Sequence, residues 1–430
     1  MTANAAGSVT VAVVGAGSRG RAYARWIAEH PDRARVVAVA EPDPLRRKWF
    51  AEEFRLAEDA VFADWRDFAA AGRIADCVLV TTQDRMHHGP VLACAGLGYH
   101  LMVEKPLAPT ERECREMVAA VRRAGVLCAV GHVLRYTPYT RALKSIVDSG
   151  RIGRVLSAQH LEPVGFWHYA HSYVRGNWRR EDLATFMLMA KSCHDLDWLT
   201  HVIGQPIRQV ASFGSLSHFT AANRPEGAAD RCLDCAVEPG CAFSATRFYG
   251  QRLAQGQHRW PLDVIVSDFT EAALHTALRE GPYGRCVYAC DNDVVDHQVA
   301  LLEFAGGATA TFTMTAFTAS GHRKTRLFGT QGELEGDGET LRVFDFLSGR
   351  HEVIDTRPGD RAGDGHGGGD AGLMAAFIGA VATGDRRLIL SGPEESLHSH
   401  LAVFATERAR RSGTTVACPP EIFFLDDTTC

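Results

Sequence analysis

The chain opens on an apolar, β-branched run over 9–14 (Val-Thr-Val-Ala-Val-Val), the pattern of a buried strand. A glycine-rich turn over 15–20 follows at once, and residues 21–30 then carry Ala22, Ala24, Ile27 and Ala28 at helical spacing. The alternation continues with strands over 35–40, 76–82, 99–103 and 126–130, and helices over 87–97 and 110–124. This β/α order predicts an α/β fold that begins with a doubly wound parallel sheet, whose ligands sit at the carboxyl ends of the strands. Thr81, Thr82, Gln83, His87, Glu104 and Lys105 fall at or just after such ends.

Further on the pattern changes. Residues 187–204 place Leu196, Leu199, Val202 and Ile203 at helical spacing, and 293–303 and 308–316 alternate like paired strands. Residues 357–372 are rich in Gly and Asp and predict a flexible loop, while 373–381 and 394–411 predict helices. There is no internal repeat.

Composition narrows the function classes. The 430 residues suit two or three domains, and 46% apolar residues give ample core. A formal net charge of −5 with no basic block argues against a nucleic-acid partner. No apolar run reaches the roughly 20 residues of a membrane span. The small, polar first eight residues lack a signal-peptide pattern. A cytoplasmic protein without membrane contact is expected.

The turn after the first strand carries recognisable chemistry. It reads Gly15-Ala16-Gly17-Ser18-Arg19-Gly20, a Gly-x-Gly-x-x-Gly between strand and helix. Gly15 permits the tight turn, Gly17 lets the backbone approach a pyrophosphate, and Gly20 lets helix and strand pack closely. Ser18 and Arg19 complete the turn as cofactor-binding candidates, and the N-terminus of the helix that follows faces the phosphates. The second strand ends in Glu41, about 20 residues past the last glycine, where a carboxylate accepts from ribose hydroxyls and repels a 2′-phosphate. The expected cofactor is NAD.

At Glu104-Lys105-Pro106 the chain resembles the glucose–fructose oxidoreductase, inositol dehydrogenase and rhizopine-catabolism (Gfo/Idh/MocA) family. The Gly15–Gly20 turn resembles the family's first turn. Thr81 to His87 resembles its Thr-Pro-Asn-x-x-His segment, with Thr82 and Gln83 departing from it. Gly131-His132-Val133-Leu134-Arg135-Tyr136 and Ser149-Gly150-Arg151-Ile152-Gly153 resemble the crossing into its second domain. The resemblance covers most of the chain. It implies a Rossmann domain over 1–133 and, over 134–430, an α+β domain with an open, mostly antiparallel sheet. It also implies dimers or tetramers built through that sheet.

For chemistry, the resemblance implies Lys105 beside the nicotinamide and the substrate hydroxyls, with Glu104 holding it and Thr81, Thr82 and His87 near the cofactor. His194 matches the family's proton-accepting His. The Asp that usually precedes it by four residues is Ala190 here, and the neighbouring Lys191 is a replacement cation. The implied activity is hydride transfer between a sugar or cyclitol hydroxyl and NAD. The alternative, suited to the missing Asp, is a redox-assisted glycosidase that oxidises a sugar transiently and eliminates its aglycone. A non-catalytic NAD-binding protein is a third reading.

Two segments remain. Residues 166–180 interleave aromatic rings with His, Asn and Arg, as a sugar site needs. His168, Tyr173 and Arg175 are the substrate candidates, against the plainer reading of a polar loop packed on the sheet. Twelve cysteines include five in an insert at about 215–292, namely Cys232, Cys235, Cys241, Cys286 and Cys290. Cys-x2-Cys spacing predicts a structural zinc site, with the fourth ligand open between Cys286 and Cys290. A disulfide, free thiols or an iron–sulfur cluster are the alternatives. The other seven read as small buried hydrophobes or surface thiols. The expected partner is a carbohydrate-like small molecule.

Overall fold

The computed structural model describes residues 8–357 and 366–418. Its first sheet holds β1 (Val9–Val14), β2 (Ala34–Ala40), β3 (Val61–Phe62), β4 (Cys77–Val80), β5 (His100–Val103) and β6 (Cys128–Val130). They lie in the order β3-β2-β1-β4-β5-β6, every pair parallel. That is the doubly wound order, with the switch point between β1 and β4. β4 and β6 are buried throughout, since helices cover both faces.

Local signals set the helix ends. The first helix, Ser18–Glu29, starts three residues before its apolar pattern because Gly17 serves as its N-cap and the first turn tolerates polar residues. The Glu111–Ala124 helix is capped by Thr110, whose hydroxyl accepts from the Glu113 amide, and it ends at Gly125 with φ +65.

The second sheet has nine strands. They are β7 (Val155–Pro163), β8 (Ile207–Ser215), β9 (His297–Phe304), β10 (Thr309–Thr315), β11 (Lys324–Gly329), β12 (Gly332–Gly336), β13 (Thr340–Asp345), β14 (His351–Asp355) and β15 (Val416–Ala417). The order is β14-β13-β12-β11-β7-β10-β9-β8-β15, antiparallel except for β7 with β10. The α/β class and the mostly antiparallel second sheet agree with the sequence expectation. One face is covered by the helices Met187–Ile203 and Pro393–Ser412. The other is open, so Gln298, Ala300 and Leu302 of β9 point inward while Val299 and Leu301 are exposed.

Two features depart from expectation. The Cys-rich insert carries helices Ala245–Ala254 and Glu271–Glu280 around its own apolar core of Tyr249, Leu262, Leu274 and Leu278. Part of the predicted loop over 357–372 is helical, because the helix Gly369–Thr383 starts within it; residues 358–365 lie outside the described residues. Its Leu373, Met374, Phe377 and Ile378 share a core with β1 and with Tyr23 and Ile27 of the first helix. A segment late in the sequence thus returns to the cofactor sheet.

Candidate functional site

On the cofactor side the glycines act as the sequence suggests. A Cβ on Gly20 would lie 2.1 Å from the Gly15 carbonyl oxygen, so helix and turn need hydrogen there. Gly15 has φ +99 and lies against the Thr81–Thr82 peptide. A Cβ on Gly17 would meet nothing within 4 Å, which leaves its backbone open to a ligand at the helix N-terminus. Ser18 is exposed beside it. Glu41 is buried, its carboxylate accepting from the Ala16 amide at 2.7 Å and the Asp43 amide at 3.0 Å. These residues fit a dinucleotide: open glycine backbone for the pyrophosphate, and a fixed carboxylate at the end of β2 for the ribose.

Arg19 does something the sequence reading did not foresee. Its Nε donates to Glu104 at 2.8 Å, and its two terminal nitrogens clamp Asp370 at 2.8 and 2.6 Å. That guanidinium is held between two carboxylates, Glu104 and Asp370. Glu104 also accepts from the Tyr23 hydroxyl and the Lys105 amide. Burial works to raise the Glu104 carboxyl, and Arg19, Tyr23 and Lys105 hold it below the usual carboxylate range. Thr81 donates to the Gly15 carbonyl at 2.6 Å, and the buried Thr82 hydroxyl has no hydrogen-bond partner. His87 places Nδ1 2.8 Å from the Pro106 carbonyl and Nε2 3.0 Å from that of Thr82. It buckles the end of β4 to the Lys105 loop, so its ring is occupied by backbone.

Lys105 reaches across to the second domain and donates to the Ala190 carbonyl at 2.9 Å. Ala190 lies one helical turn before His194, which is 5% exposed with its Nδ1 unpartnered. Burial holds His194 well below the ordinary imidazole range, assisted by Lys105, His132, Arg323 and His366. A neutral imidazole beside an ammonium is an acid–base pair.

Lys191 turns the other way, placing Nζ 3.2 Å from Glu162 at the end of β7. Arg323 lies 2.9 Å from the second Glu162 oxygen and also pairs with Asp195, which stands 3.1 Å from His160. Burial lowers the Lys191 ammonium; Glu162 opposes this and Arg323 adds to it. Burial alone would raise Asp195, but Arg323 and His160 hold it well below the usual carboxylate range.

The aromatic segment divides. His168 faces this cluster, since burial, Lys191, His171 and Lys105 all depress its imidazole. Tyr173 is buried, and burial with Glu162 and Asp84 nearby raises its phenol. Arg175, expected to bind substrate, donates instead to the Arg285 and Phe243 carbonyls at 2.7 and 2.8 Å. It staples the insert to the second domain because its guanidinium is taken up by backbone carbonyls at that seam.

The zinc expectation is not supported. Among the described residues no three His, Cys, Asp or Glu side chains converge to hold a metal. Cys232 is buried and takes the Ala245 amide at 3.5 Å, Cys235 and Cys241 are half-buried, and Cys290 donates to the Cys286 carbonyl at 3.2 Å. All five, Cys286 included, are free thiols, and burial pushes those of Cys241 and Cys290 up. Cys232 packs in the insert's apolar core, and Cys241 lies within electrostatic reach of it and of Cys286. Of the scattered cysteines, the six described are buried, as expected of small hydrophobes.

Several site residues escaped the sequence reading: Asp84, Glu162, Asp195, Arg323, His366 and Asp370. Asp84 lies inside the Thr81–His87 motif, where it accepts from Trp178 Nε1 at 3.0 Å. Burial raises its carboxyl, opposed by Lys105 and His87. Glu162, a charged residue ending a half-apolar strand, was a readable signal. Arg323 and His366 carried none.

The comparisons agree with this geometry. A family model described as "Oxidoreductase family, NAD-binding Rossmann fold" matches residues 9–132, and the family's "C-terminal alpha/beta domain" matches 144–417. The chain is 35% identical over 209 residues to the 1,5-anhydro-D-fructose reductase of Ensifer adhaerens, covering 48% of this chain and 55% of that protein. It is 24% identical over 273 residues to the 2,7-anhydro-N-acetylneuraminate hydratase of Escherichia coli, covering 63% and 68%. A levoglucosan dehydrogenase solved with NADH superposes with a TM-score of 0.71 at 19% identity, over 96% of this chain and 100% of that one. With both domains matched in order, the chain belongs to the Gfo/Idh/MocA oxidoreductase family.

Proposed function

We propose that this protein is an NAD-dependent dehydrogenase of a polyhydroxylated ring, with Lys105 and His194 handling the hydroxyl proton. The observation that carries this is the Lys105 contact to Ala190 one turn before a neutral, buried His194 with an unpartnered nitrogen. When bound, NAD supplies the hydride acceptor. Lys105 donates a hydrogen bond to the substrate oxygen and stabilises the developing alkoxide, and His194 accepts its proton. Glu104 fixes the Lys105 backbone; Gly15, Gly17, Gly20, Ser18, Glu41, Thr81 and Thr82 surround the dinucleotide. Lys191 is a positioning residue, tethered by Glu162. His168 and Tyr173 line the substrate side.

The substrate class follows from relatives that act on anhydro sugars: a sugar or cyclitol ring presenting several secondary hydroxyls. A redox-assisted elimination is the second reading, favoured by a second neutral imidazole, His168, and a buried Lys191 with lowered affinity for protons.

The open face of the second sheet exposes Phe213, Val299 and Leu301, and this face is the proposed contact between copies of the chain. No helix among the described residues is long and apolar enough to cross a membrane.

The test is a panel of levoglucosan, 1,5-anhydroglucitol, myo-inositol and chromogenic glycosides, following nicotinamide absorbance and aglycone release together. Net NADH without aglycone release is expected. Aglycone release with no net NADH replaces the dehydrogenase with the second reading. Sedimentation of wild type and Leu301→Glu tests the interface, with a shift to monomer expected.

A further inference from the structure

Oxidation of an alcohol by NAD releases a proton at every turnover: the C–H pair leaves as hydride, and the hydroxyl proton passes to His194. His194 is almost fully buried, and its surroundings resist positive charge. That proton needs a way out. Two imidazoles stand next to the His194 ring. His132, with ring centroids 5.7 Å away, leads inward: it is fully buried, both its nitrogens lack hydrogen-bond partners, and burial holds it down at about 3. Behind it, 5.5 Å on, His400 accepts the Leu107 amide on Nε2 and faces the Ser396 carbonyl with Nδ1, so its tautomer is locked.

His366 leads outward. Its ring centroid lies 6.3 Å from that of His194, and its side chain is 36% exposed. Nδ1 stands 3.1 Å from an Asp370 oxygen, and Asp370 is itself fixed by both terminal nitrogens of Arg19. A carboxylate on Nδ1 orients the ring and leaves Nε2 to exchange protons. Among the described residues, the groups facing His366 are Asp370 at the start of the Gly369–Thr383 helix, Arg19 behind it from the cofactor turn, and His194 from the second domain. A 6.3 Å ring separation accommodates one bridging water or substrate hydroxyl.

We propose that His366, held by Asp370, is the proton port of this site, taking the proton from His194 and delivering it to solvent. The proposal rests on the dehydrogenase reading. In the balanced reaction a secondary alcohol and oxidised NAD give a ketone, NADH and one proton. The carbinol carbon loses its hydrogen with the bonding electron pair to the nicotinamide. The released proton passes from the hydroxyl to His194, then to His366 Nε2, then to water. Because Arg19 belongs to the glycine turn, the port is also anchored to the element that binds the dinucleotide.

The experiment uses the full chain with levoglucosan or myo-inositol and NAD. His366→Ala is expected to lower kcat by about ten- to a hundredfold, with KM and NAD affinity near wild type. Added imidazole is expected to restore most of the loss, while His366→Gln, which cannot carry a proton, stays slow. Full activity in either variant, or a slow alanine variant that imidazole does not rescue, overturns the proposal. Net NADH from wild type tests the dehydrogenase reading separately. A second arm needs no turnover. 15N NMR of labelled histidines at neutral pH is expected to show the His366 proton on Nδ1, facing Asp370, and that tautomer preference is expected to be lost in Asp370→Asn. An unaltered tautomer overturns the port even if no sugar is oxidised.

Discussion

The two sides of the cleft hold their charges differently. On the cofactor side one cation, Arg19, sits between two carboxylates, Glu104 and Asp370. On the substrate side one carboxylate, Glu162, sits between two cations, Lys191 and Arg323, and Asp195 closes the chain against His160. The cofactor cradle does not depend on its ion pairs for shape. Its turn is made by neighbouring residues, with Gly15 and Gly20 giving way sterically to Thr81 and to each other. The substrate wall has no such backbone frame. It takes two residues from β7, one from the loop before β11 and two from a helix, so the ionic chain itself is what fixes the side chains. Backbone geometry makes the first half robust, and buried charge makes the second sensitive.

The strongest way to break this contrast is at the glycines. Gly20→Ala is expected to destabilise the protein by about 4 kcal/mol or more, as other severe steric insertions do. Gly17→Ala should keep wild-type stability and lose NAD affinity, because its Cβ enters open space that a pyrophosphate would fill. Urea unfolding and NAD titration of the two variants separate the effects; equal stability loss in both would remove the claim that the turn is sterically framed.

Lys105→Ala comes next, with an expected loss of about a thousandfold in kcat/KM and unchanged NAD binding. Retained turnover would move the proton chemistry elsewhere. Glu162→Gln leaves two buried cations without their shared carboxylate and is expected to cost about 3 kcal/mol, more than Glu41→Gln on the cofactor side. Comparable losses measured in urea would mean that the two halves depend on charge alike.

The smallest effect per group is with pH. Burial holds His132 and His171 down at about 3 and His400 at about 4. The unfolded chain binds these protons near pH 6.5 while the folded chain refuses them, so stability is full above that value and falls as pH drops towards 4. Each buried imidazole contributes about 1.4 kcal/mol per pH unit over that window. Unfolding free energies at pH 7.5 and 5.5 check the sign; a protein equally stable at both would show that these rings are not held neutral.

The sequence carried the cofactor half almost completely. The strand–glycine turn–helix order, the Glu41 position and the β/α alternation are local or nearest-neighbour features, and local periodicity reports them directly. It also marked Lys105 and His194. It gave no sign that the Arg19 guanidinium is joined to Asp370, 351 residues away. The Arg175 guanidinium is likewise claimed by the Arg285 and Phe243 carbonyls, contacts that spacing does not encode.

What the sequence determined by itself is therefore the order of elements and the dinucleotide turn. Only the tertiary structure decided that Glu162, Arg323 and Asp195 share one buried ionic chain, and that the helix beginning at Gly369 brings His366 to His194. The physical reason is range. Turn geometry and periodicity act over a few residues, whereas a buried charge is satisfied by whichever opposite charge the folded chain brings near, at any separation in sequence.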